Sequence, residues 1–382
     1  MDFAIDHKKL IQGIYEAEQI PVDCSKRSSA PDFGFNILNR ASMLYRPVID
    51  EKYLQRGGTK PIWPGGKKFA VCLTHDVDSV SQFSTLQSLR SLKTIRLGHN
   101  RTSSRIFRLL GVVLGLFNNL RTLSKADPLH CYEKWLAVEN ATEMRSTFFF
   151  WPGWKHVSIH HPSDCRYELT DHIVFDGQKC SVSEMIREIH HRGWEIGLHP
   201  SWHAFKNLDE LKRQKQALEN ALRHRIVSIR QHFLQYDIRI TPRIHAAAGF
   251  KYDSTLGFND NIGFRFGTCY PWKLYDMDSG TNMPILEIPL IIQDMALLNP
   301  LKGLRLDIPT AFSYIQQITK AVENVGGVLT LLWHPNTVTR PDVWELYANI
   351  LAYLRRQKCW VAPLAKIGKW WEDKIQTVTK SP

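Results

Sequence analysis

Four short segments of this 382-residue chain set acidic and basic side chains at spacings that chemistry can use. The first is Thr74-His-Asp-Val-Asp78. In extended backbone, residues two apart face the same way, so Asp76 and Asp78 point into one space. Two carboxylates that close repel each other unless a cation or a shared proton relieves them. A metal on one, with the other taking up protons, would use both. The second segment is Glu195-Ile-Gly-Leu-His199-Pro-Ser-Trp-His203. Histidines four apart can share a metal, on one helical turn or in a tight loop after a strand. One Asp and two His make a facial set with open positions, suited to Zn, Co, Mn, Ni or Fe(II) in a catalytic role. The third is Val227-Ser-Ile-Arg230-Gln-His232-Phe233, where an arginine closing a strand can pair with a carboxylate and hold it ionised. The fourth is Leu331-Leu-Trp-His334-Pro335, where a histidine just past an apolar strand and near a metal suits general-acid work. Each segment alone has a plainer reading: turn or cap aspartates, packed histidines in a chain with 16 of them, a structural salt bridge. Their weight comes from occurring together.

Short apolar runs carry these segments: Phe69–Thr74, Ser146–Phe150, Glu195–Leu198, Val227–Ile229, Ile285–Ile292 and Val328–Trp333. Between several of them lie amphipathic, helix-length stretches at Tyr132–Met144, Val182–Arg192, Leu208–Arg225, Thr310–Asn324 and Trp344–Gln357. Strands alternating with helices predict an α/β fold with a parallel sheet or barrel. In such folds the site lies at the carboxyl ends of the strands, where the four polar segments fall. Residues 1–67 read as an extension on a catalytic domain at 68–375. The extension opens with a helix near Leu10–Glu18 and ends in the turn-rich Pro61-Ile-Trp-Pro-Gly-Gly66. Within the domain, about 84–126 reads as a basic insertion. Between Ser79 and Ala126 there is no acidic residue, while Arg90, Lys93, Arg96, Arg101, Arg105, Arg108, Arg121 and Lys125 surround the apolar Ile106–Phe117. Such a stretch could lie on an anionic membrane or form a solvated basic helix on the barrel rim.

The formal net charge of +12 fits an anionic partner, though no nucleic-acid motif accompanies it, so none is expected to bind. The seven cysteines are scattered, without a CxxC pair, which argues against a disulfide framework and for a reducing compartment. The opening residues lack a signal-peptide pattern, and no apolar run reaches the ~18 residues of a membrane span. The expectation is a cytoplasmic protein, peripheral at the inner membrane face through 90–125.

In order and spacing the motifs resemble the polysaccharide deacetylase family, the NodB-homology domain of carbohydrate esterase family 4. The resemblance covers roughly 68–375 and includes Ser146-Thr-Phe-Phe-Phe150, Gly193-Trp-Glu-Ile-Gly-Leu-His199 and Gly249-Phe-Lys-Tyr-Asp-Ser-Thr255. It implies a distorted (β/α)7 barrel and one divalent ion, zinc above the others, held by Asp78, His199 and His203. It also implies Asp76 as general base, oriented by Arg230, and His334 as general acid. The activity implied is hydrolysis of the N-acetyl group of an amino sugar in a polysaccharide or lipid-linked glycan precursor. The chain departs from the family pattern in three places. Val77 separates the two aspartates, as in a subgroup written Asp-Val-Asp, which leaves open which is ligand and which is base. The third motif continues Gln231-His232 instead of with proline, so His232 is expected at the substrate. The usual fourth-motif tryptophan is absent, and Arg265 in Gly263-Phe-Arg-Phe-Gly267 stands as a replacement contact. The rival readings are a metal-independent cyclic amide or imide hydrolase of the same fold and a non-catalytic glycan-binding protein.

Overall fold

The computed structural model describes residues 5–19, 36–82, 90 and 127–379. The basic insertion therefore lies outside the described residues, except for Arg90, which pairs with Asp171 at 2.6 Å. Among the described residues twelve strands are formed: β1 Phe69–Val77, β2 Thr147–Phe150, β3 His172–Phe175, β4 Gln178–Ser181, β5 Glu195–Leu198, β6 Ser228–Ile229, β7 Tyr252–Asp253, β8 Trp272–Asp276, β9 Thr281–Glu287, β10 Ile292–Gln293, β11 Val328–Leu332 and β12 Cys359–Val361. The main sheet runs β10-β11-β1-β2-β5-β6-β7-β9-β8, with β12 also on β1 and β3-β4 a separate hairpin. All neighbours from β10 to β9 are parallel, and only β8 on β9 is antiparallel.

The expected (β/α)7 arrangement is recognisable in this order. β9 and β10 belong to one chain segment, interrupted at 288–291, whose first part pairs with β7 and whose second pairs with β11. Counted as one, they give seven parallel positions: β1, β2, β5, β6, β7, β9/β10 and β11. The ladder of hydrogen bonds does not close into a ring, and the chain itself spans the gap.

β1 shows why the sequence folds this way. Every residue of Phe-Ala-Val-Cys-Leu-Thr-His-Asp-Val is buried, as in a strand covered on both faces. Val71, Leu73 and Val77 pack in the large layer under the helices. Ala70 and Cys72, of the opposite parity, pack with Phe149, Tyr252, Leu286 and Val328. Thr74 and Asp76 continue that inward parity toward the strand end. Below them Trp63 plugs the far end, stacked 4.2 Å from Trp370 and donating to the Gly326 carbonyl at 2.8 Å.

The surrounding helices start and stop where side chains serve their ends. Ser181 and Glu184 form a capping box before the helix Val182–His191. Asn207 caps Leu208–Leu222, and Asp307 caps Ile308–Val325. Gly326 ends that last helix at φ 79°, where a residue without Cβ is least strained. The expected N-terminal helix is two short ones, His7–Ile11 and Ile14–Gln19, broken at Gly13. Two further contacts tie this region to 264–269. The Ile49 N–H donates to the Gly267 carbonyl at 2.8 Å, and Asp50 accepts from the Cys269 N–H at 2.8 Å.

Candidate active site

Every chemically interesting strand end opens on the same side of the sheet. Asp76 is the penultimate residue of β1, and Asp78 follows the strand directly. His199 follows β5, and Arg230 follows β6. His334 stands two residues past β11, and Asp294 directly after β10. The period-two reading of Asp76 and Asp78 is what places both near one imidazole. His199 Nε2 lies 3.9 Å from Asp76 Oδ2 and 3.4 Å from Asp78 Oδ1.

Arg230 is fully buried and fully engaged. Its Nη1 donates to Thr74 Oγ1 at 2.6 Å and to Asp76 Oδ1 at 3.2 Å. Its Nε and Nη2 donate to the Ser254 carbonyl and hydroxyl at 2.7 and 2.8 Å. The guanidinium lies 4.7 Å over the Phe149 ring. That ring needs Gly197 beneath it, since a Cβ there would stand 2.5 Å from the ring. One oxygen of Asp76 is thus fixed by a permanent cation, and the other faces the cleft.

His199 Nδ1 is 2.8 Å from the Arg230 carbonyl, which makes Nδ1 the protonated nitrogen and leaves the Nε2 lone pair toward Asp78. His232 Nε2 approaches the same oxygen, Asp78 Oδ1, at 3.6 Å, and His334 Nε2 reaches Oδ2 at 3.8 Å. Burial opposes ionisation of Asp78, but its three histidine neighbours hold the carboxyl well below its ordinary range. Burial also opposes charge on His199, yet Asp76 and Asp78 raise its pKa. His232 is pushed down to about 3 by burial, helped by His199 and His334. His334 moves the other way, up to about 10. Burial works against its charge, but Asp294 accepts from Nδ1 at 2.7 Å and from the His334 backbone N–H at 2.8 Å. A cleft of 190 Å³ opens over these groups, with Phe233, Met295 and Lys302 among its lining.

Among the described residues, the group whose donor atoms all stand close enough to share a divalent ion is Asp78, Cys165 and His232, and His199 stands beside it. Ligands at about 2.0–2.2 Å from a tetrahedral ion stand about 3.3–3.6 Å from each other. Asp78 Oδ1 has His199 Nε2 at 3.4 Å and His232 Nε2 at 3.6 Å, longer than good hydrogen bonds and matching that edge. Cys165 joins the same space: ligand atoms of Asp78, Cys165 and His232 all lie within 4.8 Å of one another.

Two expected site residues are elsewhere. His203 is not drawn to Asp78; it is half-buried, with its ring edge-on to His161 at 5.7 Å. After Pro200 the chain is tied outward, Ser201 N–H donating to Gln214 and Trp202 N–H to Asp164, both at 2.8 Å. His199 and His203 therefore share no helical turn, and the i, i+4 rule does not apply. His232 stands where His203 was expected. Arg265 is likewise no cleft residue. It is 3 % exposed, and its guanidinium grips Glu16 with two bonds of 2.6 Å and donates to the Gly257 carbonyl at 2.8 Å.

Asp294 was missed although it lies where the others do: it follows Gln293 just past the apolar run Ile285–Ile292. Cys165 and Asp164 sit in a loop between β2 and β3 that has no periodic signal, and only the fold brings them to the strand ends.

No family model and no curated protein matches the chain. Solved structures do match. A Mycobacterium smegmatis protein whose name assigns it to the polysaccharide deacetylases aligns over 83 % of this chain and 95 % of its own, at 21 % identity and TM-score 0.55. The fold is that of the polysaccharide deacetylases. A Pseudomonas aeruginosa PAO1 protein of the same naming shares this deacetylase fold at 16 % identity and TM-score 0.50, over 83 % of this chain and 95 % of its own. Puue allantoinase shares it at 14 % identity and TM-score 0.50, over 82 % and 94 %. Proteins named as deacetylases and as an allantoinase thus share this fold, and the chemistry of this chain must be argued from its own cleft.

Proposed function

We propose that this chain is a divalent-metal-dependent hydrolase that removes the acetyl group from an N-acetylated amino sugar in a polysaccharide or lipid-linked glycan precursor. One observation carries the reading. At a single strand-end cleft, Asp78 meets His199 and His232 at ion-ligand spacing, between an Asp76 fixed by Arg230 and a His334 fixed by Asp294.

Asp78, His199 and His232 would hold the ion, with zinc favoured and Co, Mn, Ni or Fe also compatible with the donors. A divalent ion in that place supplies Lewis acidity toward the acyl carbonyl and lowers the pKa of a nearby water. Asp76 accepts the water's proton at Oδ2, while Arg230 keeps Oδ1 engaged. Arg230, Thr74 and Ser254 together fix the direction of that base. His334 delivers a proton from Nε2 to the departing nitrogen, its ring held and its charge supported by Asp294 through Nδ1. Water adds its oxygen to the acyl carbon, the C–N bond breaks, and the products are acetate and the free amino sugar.

The same proposal places the protein at the cytoplasmic face of a membrane, on the strength of the basic stretch 90–125. Loss of binding to anionic liposomes on deleting that stretch is the expected result, and unchanged binding removes this part. The central test is metal analysis of the purified protein combined with acetate release from N-acetylated sugars, free and lipid-linked. Near-stoichiometric metal and metal-dependent acetate release are expected. Hydrolysis of cyclic ureides or imides by metal-free protein would instead favour the cyclic-amide reading suggested by the allantoinase likeness.

A further inference from the structure

Cys165 stands beside the same carboxylate and is 4 % exposed. Its sulfur lies 4.0 Å from Asp78 Oδ1. The segment is held on both sides of it. Asp164 accepts from the Trp202 N–H at 2.8 Å and the His161 N–H at 2.7 Å. The Tyr167 hydroxyl donates to the Val77 carbonyl at 3.0 Å and accepts from the Trp151 N–H at 2.9 Å. Tyr167 is thus pinned to the residue that precedes Asp78, and the sulfur cannot swing away without breaking these bonds. His232 gives an independent pointer. It is 3 % exposed, its Nε2 stands 3.6 Å from Asp78 Oδ1, and its Nδ1, which has no hydrogen-bond partner, lies on the other side of the ring at 4.0 Å from Asp164 Oδ1. A buried imidazole left so poorly satisfied is costly unless something in the space between takes its lone pair.

We propose that Cys165 is a sulfur donor to the ion held by Asp78 and His232, making this a thiolate-containing and zinc- or cobalt-selective site. The inference rests on the reading above that those residues hold an ion. Thiolate is a soft ligand that favours Zn or Co over Mg, Ca or Mn, whereas the Asp–His–His set alone leaves that choice broad. On binding, the S–H bond breaks, the metal–sulfur bond forms and the proton leaves to solvent. Zinc centres can expand to five ligands, so a sulfur donor beside Asp78, His199 and His232 leaves a position for substrate.

The test uses the full-length protein, stripped of metal and reloaded with Co²⁺, and reads its absorption. The expected wild-type spectrum has visible d–d bands and a near-ultraviolet sulfur-to-cobalt charge-transfer band. Cys165→Ser should abolish the charge-transfer band, keep the visible bands and weaken Zn²⁺ affinity at least about tenfold relative to wild type. Cys180→Ser, at a half-buried cysteine on β4, should leave the band intact. Visible bands without charge transfer in the wild-type protein would overturn the sulfur assignment while leaving the metal reading standing. Absence of any cobalt uptake would overturn the metal reading itself, and with it this inference. Because the wild-type spectrum is decisive alone, a failure of Cys165→Ser to fold does not rescue the proposal.

Discussion

Replacing Arg265 tests how the N-terminal segment is held, and it separates a fastening from a substrate contact. Arg265 makes two 2.6 Å bonds to Glu16 and one 2.8 Å bond to the Gly257 carbonyl, and both charged partners are almost fully buried. Removing one member of a buried ion pair costs about 3–5 kcal/mol, chiefly because the survivor stays desolvated and unpaired. In Arg265→Ala the survivor is the Glu16 carboxylate. It can escape by lifting the helix Ile14–Gln19 off the domain, which limits the loss to the free energy with which that segment docks. The expected result is a lower unfolding free energy in urea, by up to about 3–5 kcal/mol, with new proteolytic cleavage around residues 14–19. The KM for the acylated sugar should not change, because the guanidinium does not line the cleft. Glu16→Gln in the same background should recover part of the stability, as a neutral amide is cheaper to leave buried than a carboxylate. An Arg265→Ala protein with wild-type stability and a raised KM would refute this, and would return Arg265 to the substrate.

Asp76→Asn and His334→Ala should each retain bound metal and lose about 10²–10⁴ in kcat, measured as acetate release; full activity in either sinks its acid–base role. His232→Ala should lose most of the bound metal by elemental analysis while His203→Ala keeps it, and the reverse pattern would restore the His199/His203 pairing. Burial lifts the Asp50 carboxyl to about 6 despite its bonds to Thr268 and Cys269. An acid raised in the folded state binds more protons folded than unfolded, so its contribution to stability falls as pH rises from about 4 to about 6. The stability of wild type relative to Asp50→Asn should therefore drop by about 2 kcal/mol between pH 4 and pH 7 in urea titrations, and a constant difference would contradict the shift.

Elements with a strong periodic signal were legible, and so were the residues that close them. β2, β5 and β11 fall within a residue of their expected bounds, and the helices Val182–His191 and Leu208–Leu222 start where expected. β7, with only Tyr252 and Asp253, is too short for any alternation to appear. The expected run Ile285–Ile292 turned out to be the end of β9, a break and β10, because a hydrophobic run does not reveal where pairing switches from one neighbour to another. The site divides along the same line. Asp76, Asp78, His199, Arg230 and His334 each follow or close a strand, so position in the sequence predicts position in space. His203 was expected from its four-residue spacing, on a helical turn or in a tight loop, and from the family resemblance, and the turn after Pro200 is held by bonds to Gln214 and Asp164 instead. Arg265 was assigned by the absence of a family residue, and nothing in its surroundings announced that Glu16, 249 positions away, would claim it.

The spacer in Asp76-Val77-Asp78 left open which aspartate binds and which accepts a proton, and the strand geometry now gives a reason to assign them. Val77 turns outward into the layer under the helices, so both carboxylates keep the inward parity, one pleat apart. Being one pleat lower, Asp76 is 3 % exposed and within reach of Arg230, which is anchored below the cleft by Thr74 and Ser254. One of its oxygens is committed to that bond, which leaves one free to take a proton. Asp78 stands beyond the strand, with its side chain 34 % exposed, and meets three imidazoles and no arginine. The imidazoles of His199 and His232 can offer lone pairs and an arginine cannot, so an ion would gain ligands at Asp78 and would meet a fixed positive charge at Asp76. Exchanging the roles would place the ion nearer Arg230 and leave the base among the groups suited to hold metal. Under the proposed roles, the one-residue spacer would work as a vertical offset that separates a proton acceptor, held by a cation, from a metal ligand, held among histidines.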